Sequence, residues 1–174
     1  MAGTSESLRK YEPVQIPEEW FLDPYGIHGI GHTQRVYQHA VNLTKALCMS
    51  EKDASSLLLA ALWHDIGRED DSENPDHGRL SVNKAKALNL HQSHSQEILE
   101  LTFCAIENHS KDDAAGELGC LSTSNPQSAR TILWALKDAD ALDRVRFWGL
   151  DPTCLRFAWS GTQIPYAEEL LKMF

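Results

Sequence analysis

The sequence predicts an all-α fold, built as a single-domain helical bundle. Apolar residues recur three and four positions apart in several segments, which is the spacing of one helix face. Capping residues such as Ser50 begin these segments, and Gly67 marks the end of one of them. Alternation of apolar and polar residues, the pattern of a half-buried strand, is absent. Helices that each carry one apolar face bury those faces by packing together, so a bundle is expected.

The N-terminal residues differ from the rest of the chain. Residues 1–17 are predicted to form a tail or arm, because Pro13 and Pro17 discourage regular structure. Residues 18–174 are predicted to form one domain, since neither a repeat nor a linker divides them. This domain is expected to begin with a short helix over residues 18–22.

Two well-signalled helices follow. Three glycines favour irregular structure just before residue 32. A helix is predicted over about residues 32–49, with Val36 and Leu43 on its apolar face. Ser50 is the predicted N-cap of the next helix, whose apolar run stops at Gly67.

The second half of the chain alternates helices with polar loops. Either Ser93 or Ser95 caps a helix that ends near residue 109. The other predicted helices cover about residues 78–88, 127–147 and 166–174. Residues 110–126 are predicted to be a loop because Asp, Gly and Ser are frequent there, and residues 149–165 are predicted to be irregular.

The charge of the chain limits its ligands. A net charge of −9 over 174 residues argues against a nucleic-acid polymer as partner, because phosphate groups would be repelled. A small anion is still compatible with this charge, since a bound metal and a few arginines can reverse the local potential.

Composition also predicts the compartment. No apolar run reaches the roughly 18 residues that span a bilayer, and the polar start MAGTSESLRK does not resemble a signal peptide. The four cysteines contain no CxxC pair, which favours reduced thiols. We therefore expect a cytoplasmic protein that does not associate with membranes.

Candidate metal ligands recur at wide spacings along the chain. The dipeptide His64-Asp65 closes the apolar run LLLAALWHDIGR, and three further residues lie on apolar helix faces: His32, His109 and Asp140. Burying an unpaired carboxylate is costly, so several such groups facing one interior need a shared partner. Histidine and carboxylate ligands from several helices are what a divalent metal site requires.

The position of Asp140 follows from helical spacing. It lies four residues after Leu136 and seven residues before Phe147. The prediction therefore places all three on the inward face of one helix over residues 127–147.

The pattern resembles the HD superfamily of metal-dependent phosphohydrolases. The resemblance covers about residues 26–147 and rests on the segments HGIGHTQRV, HDIGREDDSENPDHGRLS and KDADALDRVR. It implies that the first metal is bound by His32, His64, Asp65 and Asp140. It also implies that His77 and His109 bind a second metal, with Asp65 as the bridge.

Several residues are candidates for direct roles in catalysis. His77 could act as an acid or contact the substrate if it is not a ligand, and His28 could line the pocket and act as acid or base. Arg68 and Lys137 are the preferred contacts for a substrate phosphate, with surface ion pairs as the alternative reading. The ligand set favours one or two divalent transition metals (Mn, Fe, Co, Ni or Zn) over Mg.

The resemblance implies that the chain is a metal-dependent phosphohydrolase. Metal-activated water would attack a nucleotide or another small phosphate ester. Two alternatives use the same residues: a di-iron oxygenase of the same fold, and a non-catalytic domain that senses a small ligand and keeps its metal for stability.

Overall fold

A computed structural model describes residues 14–147 and 149–174, and these residues form helices joined by short loops. The α-helices are α1 (Ile30–Ala46), α2 (Glu51–Trp63), α3 (His77–Ala87), α4 (Gln96–His109), α5 (Asp113–Cys120), α6 (Pro126–Leu142), α7 (Ala158–Gly161) and α8 (Ile164–Leu170). Short 3-10 segments cover Glu18–Trp20, Leu90–Ser93, Asp143–Phe147 and Pro152–Cys154. The described residues contain no strand, so the all-α prediction is confirmed. None of the helices found in these ranges is long and apolar enough to cross a membrane.

Four helices enclose the core. Helices α1, α2, α4 and α6 pack against one another, and α3 and α5 cover the outside of α4. The fully buried side chains include Val36, Leu43, Leu57, Leu101, Ile106, Ile132, Leu133 and Leu136. Helix α8 packs against α1 and against the 3-10 segment that follows α6. The start of α1 and the ends of α2, α4 and α6 lie close together, because His32, Asp65, His109 and Asp140 contact one another there.

The helix starts agree with the capping signals. The Ser50 hydroxyl accepts a hydrogen bond from the Asp53 amide at 3.2 Å, and the Ser95 hydroxyl accepts one from Ile98 at 3.4 Å. Each bond satisfies an amide that has no partner within the first turn. Ser95, not Ser93, is therefore the cap of α4.

Several helix boundaries differ from the predictions. Residues 110–126 were predicted to be a loop, but they contain α5, whose first turn is capped by the Asp112 carboxylate. The helix predicted over 127–147 ends at Leu142 and continues as a 3-10 segment, which leaves Phe147 half-exposed instead of inward. Helix α2 ends at Trp63, so the residues from His64 to Gly67 form a turn. Residues 149–165 include two short helical segments.

The predicted domain limits fall partly outside the described residues. Residues 1–13 of the predicted tail lie in the part of the chain that the structure does not describe. The tail over 1–17 and the single domain over 18–174 stay predictions.

Close contact between α3 and α4 depends on a glycine. A Cβ atom on Gly78 would lie 2.2 Å from the carbonyl oxygen of Ile106, which is backbone and cannot turn aside. We expect Gly78→Ala to lower the free energy of unfolding by about 1–3 kcal/mol, because α3 must move away from α4. Urea denaturation measures this difference. Gly161→Ala is the matched control, since nothing lies within 4 Å of its added Cβ, and equal stability of the two variants would contradict the prediction.

Candidate metal centre

Asp65 lies at the centre of a cluster of imidazole rings. Its carboxylate is buried in the turn after α2. One oxygen, Oδ2, lies 3.5 Å from His32 Nε2 and 3.6 Å from His64 Nε2. The other, Oδ1, lies 3.3 Å from His77 Nε2 and 3.6 Å from His109 Nε2. Each carboxylate oxygen therefore faces its own pair of rings.

The rings in each pair are in direct contact. The Nε2 atoms of His32 and His64 are 3.1 Å apart, and those of His77 and His109 are 2.8 Å apart. The structure thus brings together two sets of possible ligands, His32 with His64 and Asp65, and Asp65 with His77 and His109. Both sets could hold a metal ion, and Asp65 belongs to both.

Asp140 completes the first set from its edge. Its Oδ1 atom lies 3.4 Å from His32 Nε2, and about a third of its side chain is exposed. The sequence placed Asp140 on a buried face, whereas the structure places it where the cluster opens towards solvent.

The outer nitrogen of every ring already has a partner. Nδ1 of His64, His77 and His109 contacts the backbone carbonyl three residues earlier, at 3.0, 2.6 and 2.7 Å. Nδ1 of His32 contacts Asp143 Oδ2 at 2.7 Å. A carbonyl or carboxylate can only accept, so each Nδ1 carries the proton and each neutral ring presents an Nε2 lone pair to the cluster.

Lone pairs that face each other at these distances need a positive charge between them. Burial lowers the pKa of His64 to about 4, and burial with the nearby His109 lowers the pKa of His77 to about 4, so both rings are neutral at pH 7. Burial alone would raise the pKa of Asp65, but the rings of His64, His109 and His32 hold it well below its usual range. The cluster is consequently a negative pocket of electron-pair donors.

His32 shows the effect of this negative charge. Burial lowers its pKa, but the carboxylates of Asp143, Asp65 and Asp140 outweigh burial and raise the pKa to about 9. Without another cation, a proton therefore occupies the Nε2 position that faces the cluster. The same field favours a divalent cation in that position, with release of the proton.

Asp143 is a functional residue that the sequence analysis missed. It is buried, contacts His32 on one side, and accepts hydrogen bonds from Arg35 Nε at 2.5 Å and Arg35 Nη2 at 3.2 Å. Arg146 Nε lies 3.1 Å from the same carboxylate. The available signal was its position three residues after Asp140, one helical turn further along. Asp143 orients the His32 ring, as the partners of metal-binding histidines commonly do.

A cleft of about 210 Å³ opens beside the cluster. Asp65, Arg68 and His28 line its inner part, and its rim carries Asp23, Glu69, Asp70 and Asp71. Arg68 Nε lies 3.2 Å from Asp65 Oδ1, and its Nη1 donates to the Ser72 carbonyl. His28 Nδ1 contacts Asp71 Oδ1 at 2.9 Å. Both predicted candidates, Arg68 and His28, thus lie where a small molecule could reach the cluster.

Lys137, the other predicted phosphate contact, does not line this cleft. Lys137 Nζ donates to Asp113 Oδ1 at 2.7 Å and to the Lys111 carbonyl at 2.6 Å, in a second polar cluster with Arg156. A phosphate contact by Lys137 stays a prediction.

One comparison with known proteins gives a match. The family model described as "HD domain" matches residues 29–145, which include every predicted metal ligand but not His28. No curated protein and no solved structure matches the chain significantly.

Proposed function

The chain belongs to the HD domain family, whose members are typically metal-dependent hydrolases, and we propose that it is a phosphohydrolase acting on a small phosphate ester. The observation that carries this proposal is the pair of ligand sets that share Asp65, beside a cleft lined by Arg68. A shared carboxylate between two sets of ligands is suited to binding two ions and a reacting phosphoryl group.

The ligand chemistry fits divalent transition metals. Asp65 Oδ1 is buried and accepts no hydrogen bond from the described residues, and the Nε2 atoms of four histidines lie 3.3 to 3.6 Å from the two carboxylate oxygens. Nitrogen and carboxylate ligands suit Mn, Fe, Co, Ni or Zn better than Mg. His32, His64, Asp65 and Asp140 would hold one ion, and Asp65, His77 and His109 a second. Bound ions would supply an activated water and neutralise charge on the phosphoryl oxygens.

His28 is the proposed acid–base group. His77 belongs to a ligand set, so its Nε2 atom is assigned to a metal ion. His28 lines the cleft outside both ligand sets, and we assign proton transfer to it. Its Nδ1–H donates to Asp71, which leaves Nε2 to accept a proton from water or return one to the leaving oxygen. Burial lowers the pKa of His28, so Nε2 is unprotonated at neutral pH.

Arg68 is the proposed phosphate contact. It is the only arginine or lysine among the described residues that line the cleft, and four carboxylates surround the rim. One guanidinium matches one phosphoryl group, since it can donate two parallel hydrogen bonds to its oxygens. The cleft therefore favours a substrate with a single phosphate and a small remainder, and a mononucleotide is within this class.

Phosphate release tests the proposal. Protein loaded with Mn or Co should release inorganic phosphate from a panel of phosphomonoesters and nucleotides. Arg68→Ala should lower kcat/KM by about 100-fold, because a donor to the transition-state oxygens is lost. Arg79→Ala is the matched control, since Arg79 is exposed and pairs only with Asp76 at 3.3 Å in the described contacts.

Metal content distinguishes a contact of Arg68 with the substrate phosphate from an effect of Arg68 on metal binding through Asp65. Because Arg68 also contacts Asp65, metal should be measured in both variants, and we expect wild-type content in each. A metal-loaded wild-type protein that releases no phosphate from any member of the panel would overturn the proposal.

The acidic rim supports a second candidate, a di-iron oxygenase. Such an enzyme would use the same two ligand sets for iron and would accept an uncharged substrate, which the rim of carboxylates does not repel. To distinguish this candidate, the protein is loaded with Fe(II) under anaerobic conditions, and oxygen uptake is measured after O2 is admitted. Uptake that depends on an uncharged substrate, without phosphate release, would favour this candidate.

A further inference from the structure

Two buried cysteines lie in contact between α4 and α5. The thiol of Cys104, near the middle of α4, donates to the sulfur of Cys120, the last residue of α5, at 3.8 Å. Both residues are buried, with 8% and 1% of their surface exposed. The other cysteines, Cys48 and Cys154, are exposed. The metal cluster uses neither Cys104 nor Cys120.

Glycines on α5 produce this contact. A Cβ atom on Gly119 would lie 2.5 Å from Asn108 Oδ1 of α4, and one on Gly116 would lie 3.1 Å from Leu133 of α6. The Asn108 side chain cannot readily move away, because its Nδ2 donates to the Cys104 carbonyl at 2.7 Å and its Oδ1 accepts from Lys111 at 2.9 Å. The absence of side chains at the two glycines lets α5 approach α4 closely enough for the sulfurs to meet.

Cys120 also has the environment of a reactive thiol. Although only 1% of its surface is exposed, it belongs to the wall of a cleft of about 440 Å³, and that wall also includes Arg130. The hydrogen bond from Cys104 lowers the pKa of Cys120; burial and the charge of Glu117 oppose this shift, and the charges of Arg130 and Lys137 add to it, so that the pKa is lowered overall. Because the thiolate is the form that reacts with oxidants, Cys120 is the sulfur expected to react first.

We propose that Cys104 and Cys120 form a disulfide when the protein meets hydrogen peroxide. The Cys120 thiolate attacks one peroxide oxygen, the O–O bond breaks, and hydroxide leaves as Cys120 becomes a sulfenic acid. The Cys104 sulfur then attacks the Cys120 sulfur, the S–O bond breaks, and the departing oxygen takes the Cys104 proton. In total, two thiols lose two electrons and two protons, and one peroxide becomes two water molecules.

The disulfide would fasten α5 to the helix that ends at a metal ligand. The two cysteines are 16 residues apart in sequence, and α4 ends at His109. The sulfurs need to approach from 3.8 Å to about 2.05 Å, the length of a disulfide bond. Oxidation would therefore link α5 covalently to α4, the helix that ends at His109, and would leave all the candidate metal ligands unmodified.

Mass spectrometry of a two-cysteine variant tests the proposal. In full-length Cys48→Ser/Cys154→Ser protein, only Cys104 and Cys120 remain. The reduced, denatured variant should take up two maleimide groups, and the variant treated with hydrogen peroxide should take up none until a reducing agent is added. Peptide mapping should show a link between Cys104 and Cys120 within one chain. Oxidation should also raise Tm by about 5 °C or more, because the unfolded chain is constrained.

Three results would overturn the proposal. They are two alkylatable thiols remaining after peroxide, a sulfinic acid on one cysteine with the other still free, or disulfides formed only between chains. Gly119→Ala in the same background should form the disulfide several-fold more slowly, because it separates α5 from α4 without removing a sulfur, whereas Gly161→Ala should not change the rate. If the disulfide formed at the same rate in Gly119→Ala and Gly161→Ala, close packing of α5 against α4 would not be what brings the two sulfurs together.

Discussion

Replacing Asp65 by asparagine is expected to remove the bound metal and to lower phosphate release by at least about 1,000-fold. Asn has the shape of Asp but no charge, and its NH2 group would donate to one pair of Nε2 lone pairs instead of attracting a cation. Since Asp65 belongs to both ligand sets, a single substitution affects both. Metal content after dialysis without chelator, measured by elemental analysis, and phosphate release are the two measurements.

Asp76→Asn is the matched control for this experiment. Asp76 lies at the start of α3 with an exposed side chain, and its described partner is Arg79 at 3.3 Å. We expect wild-type metal content and activity in this variant. Wild-type metal content in Asp65→Asn would contradict the shared role of Asp65, and circular dichroism would show whether the helices are retained.

Asp143→Ala is expected to have the second large effect, on stability as well as on metal binding. It leaves the buried Arg35 guanidinium without its partner, which should lower the free energy of unfolding by about 3–5 kcal/mol. It also removes the acceptor of the His32 Nδ1 proton, which should weaken metal binding by about 10–100-fold. Urea denaturation measures the first effect, and metal titration of the folded protein measures the second.

Asp143→Asn separates these two effects. The amide oxygen can still accept the proton of His32 Nδ1, but it offers Arg35 no negative charge. We expect metal binding closer to wild type in this variant, with most of the loss in stability retained. Equal metal affinity in wild type and Asp143→Ala would show that the contact does not orient the ring.

The sequence could predict which histidines and carboxylates the fold brings together around Asp65, but not the pairing among them. The positions of His32, His64 and His109 on apolar faces showed that they point inward. Which rings face each other depends on how α3 packs against α4, and no pattern within one helix contains that information. Asp143 was missed for the same reason, because its buried partner Arg35 lies 108 residues away.

The fold shows where local signals were misleading. The glycines near residues 116 and 119 suggested a loop, yet they lie in α5, where they allow close packing against the neighbouring helices. The helix predicted to reach residue 147 ends five residues earlier, where Asp143 turns towards His32 and Arg35. In both places tertiary contacts outweigh the local preference of the chain.

The hydrogen bonds of the four rings have a consequence for how the centre assembles. Three rings take their tautomer from a carbonyl three residues earlier, so a single turn of chain is enough to prepare them. The tautomer of His32 instead depends on Asp143, 111 residues away. It is fixed only when the start of α1 has packed against the segment that follows α6. The Nδ1 proton of His32 is therefore fixed by tertiary packing, whereas the Nδ1 protons of His64, His77 and His109 are fixed within their own segments.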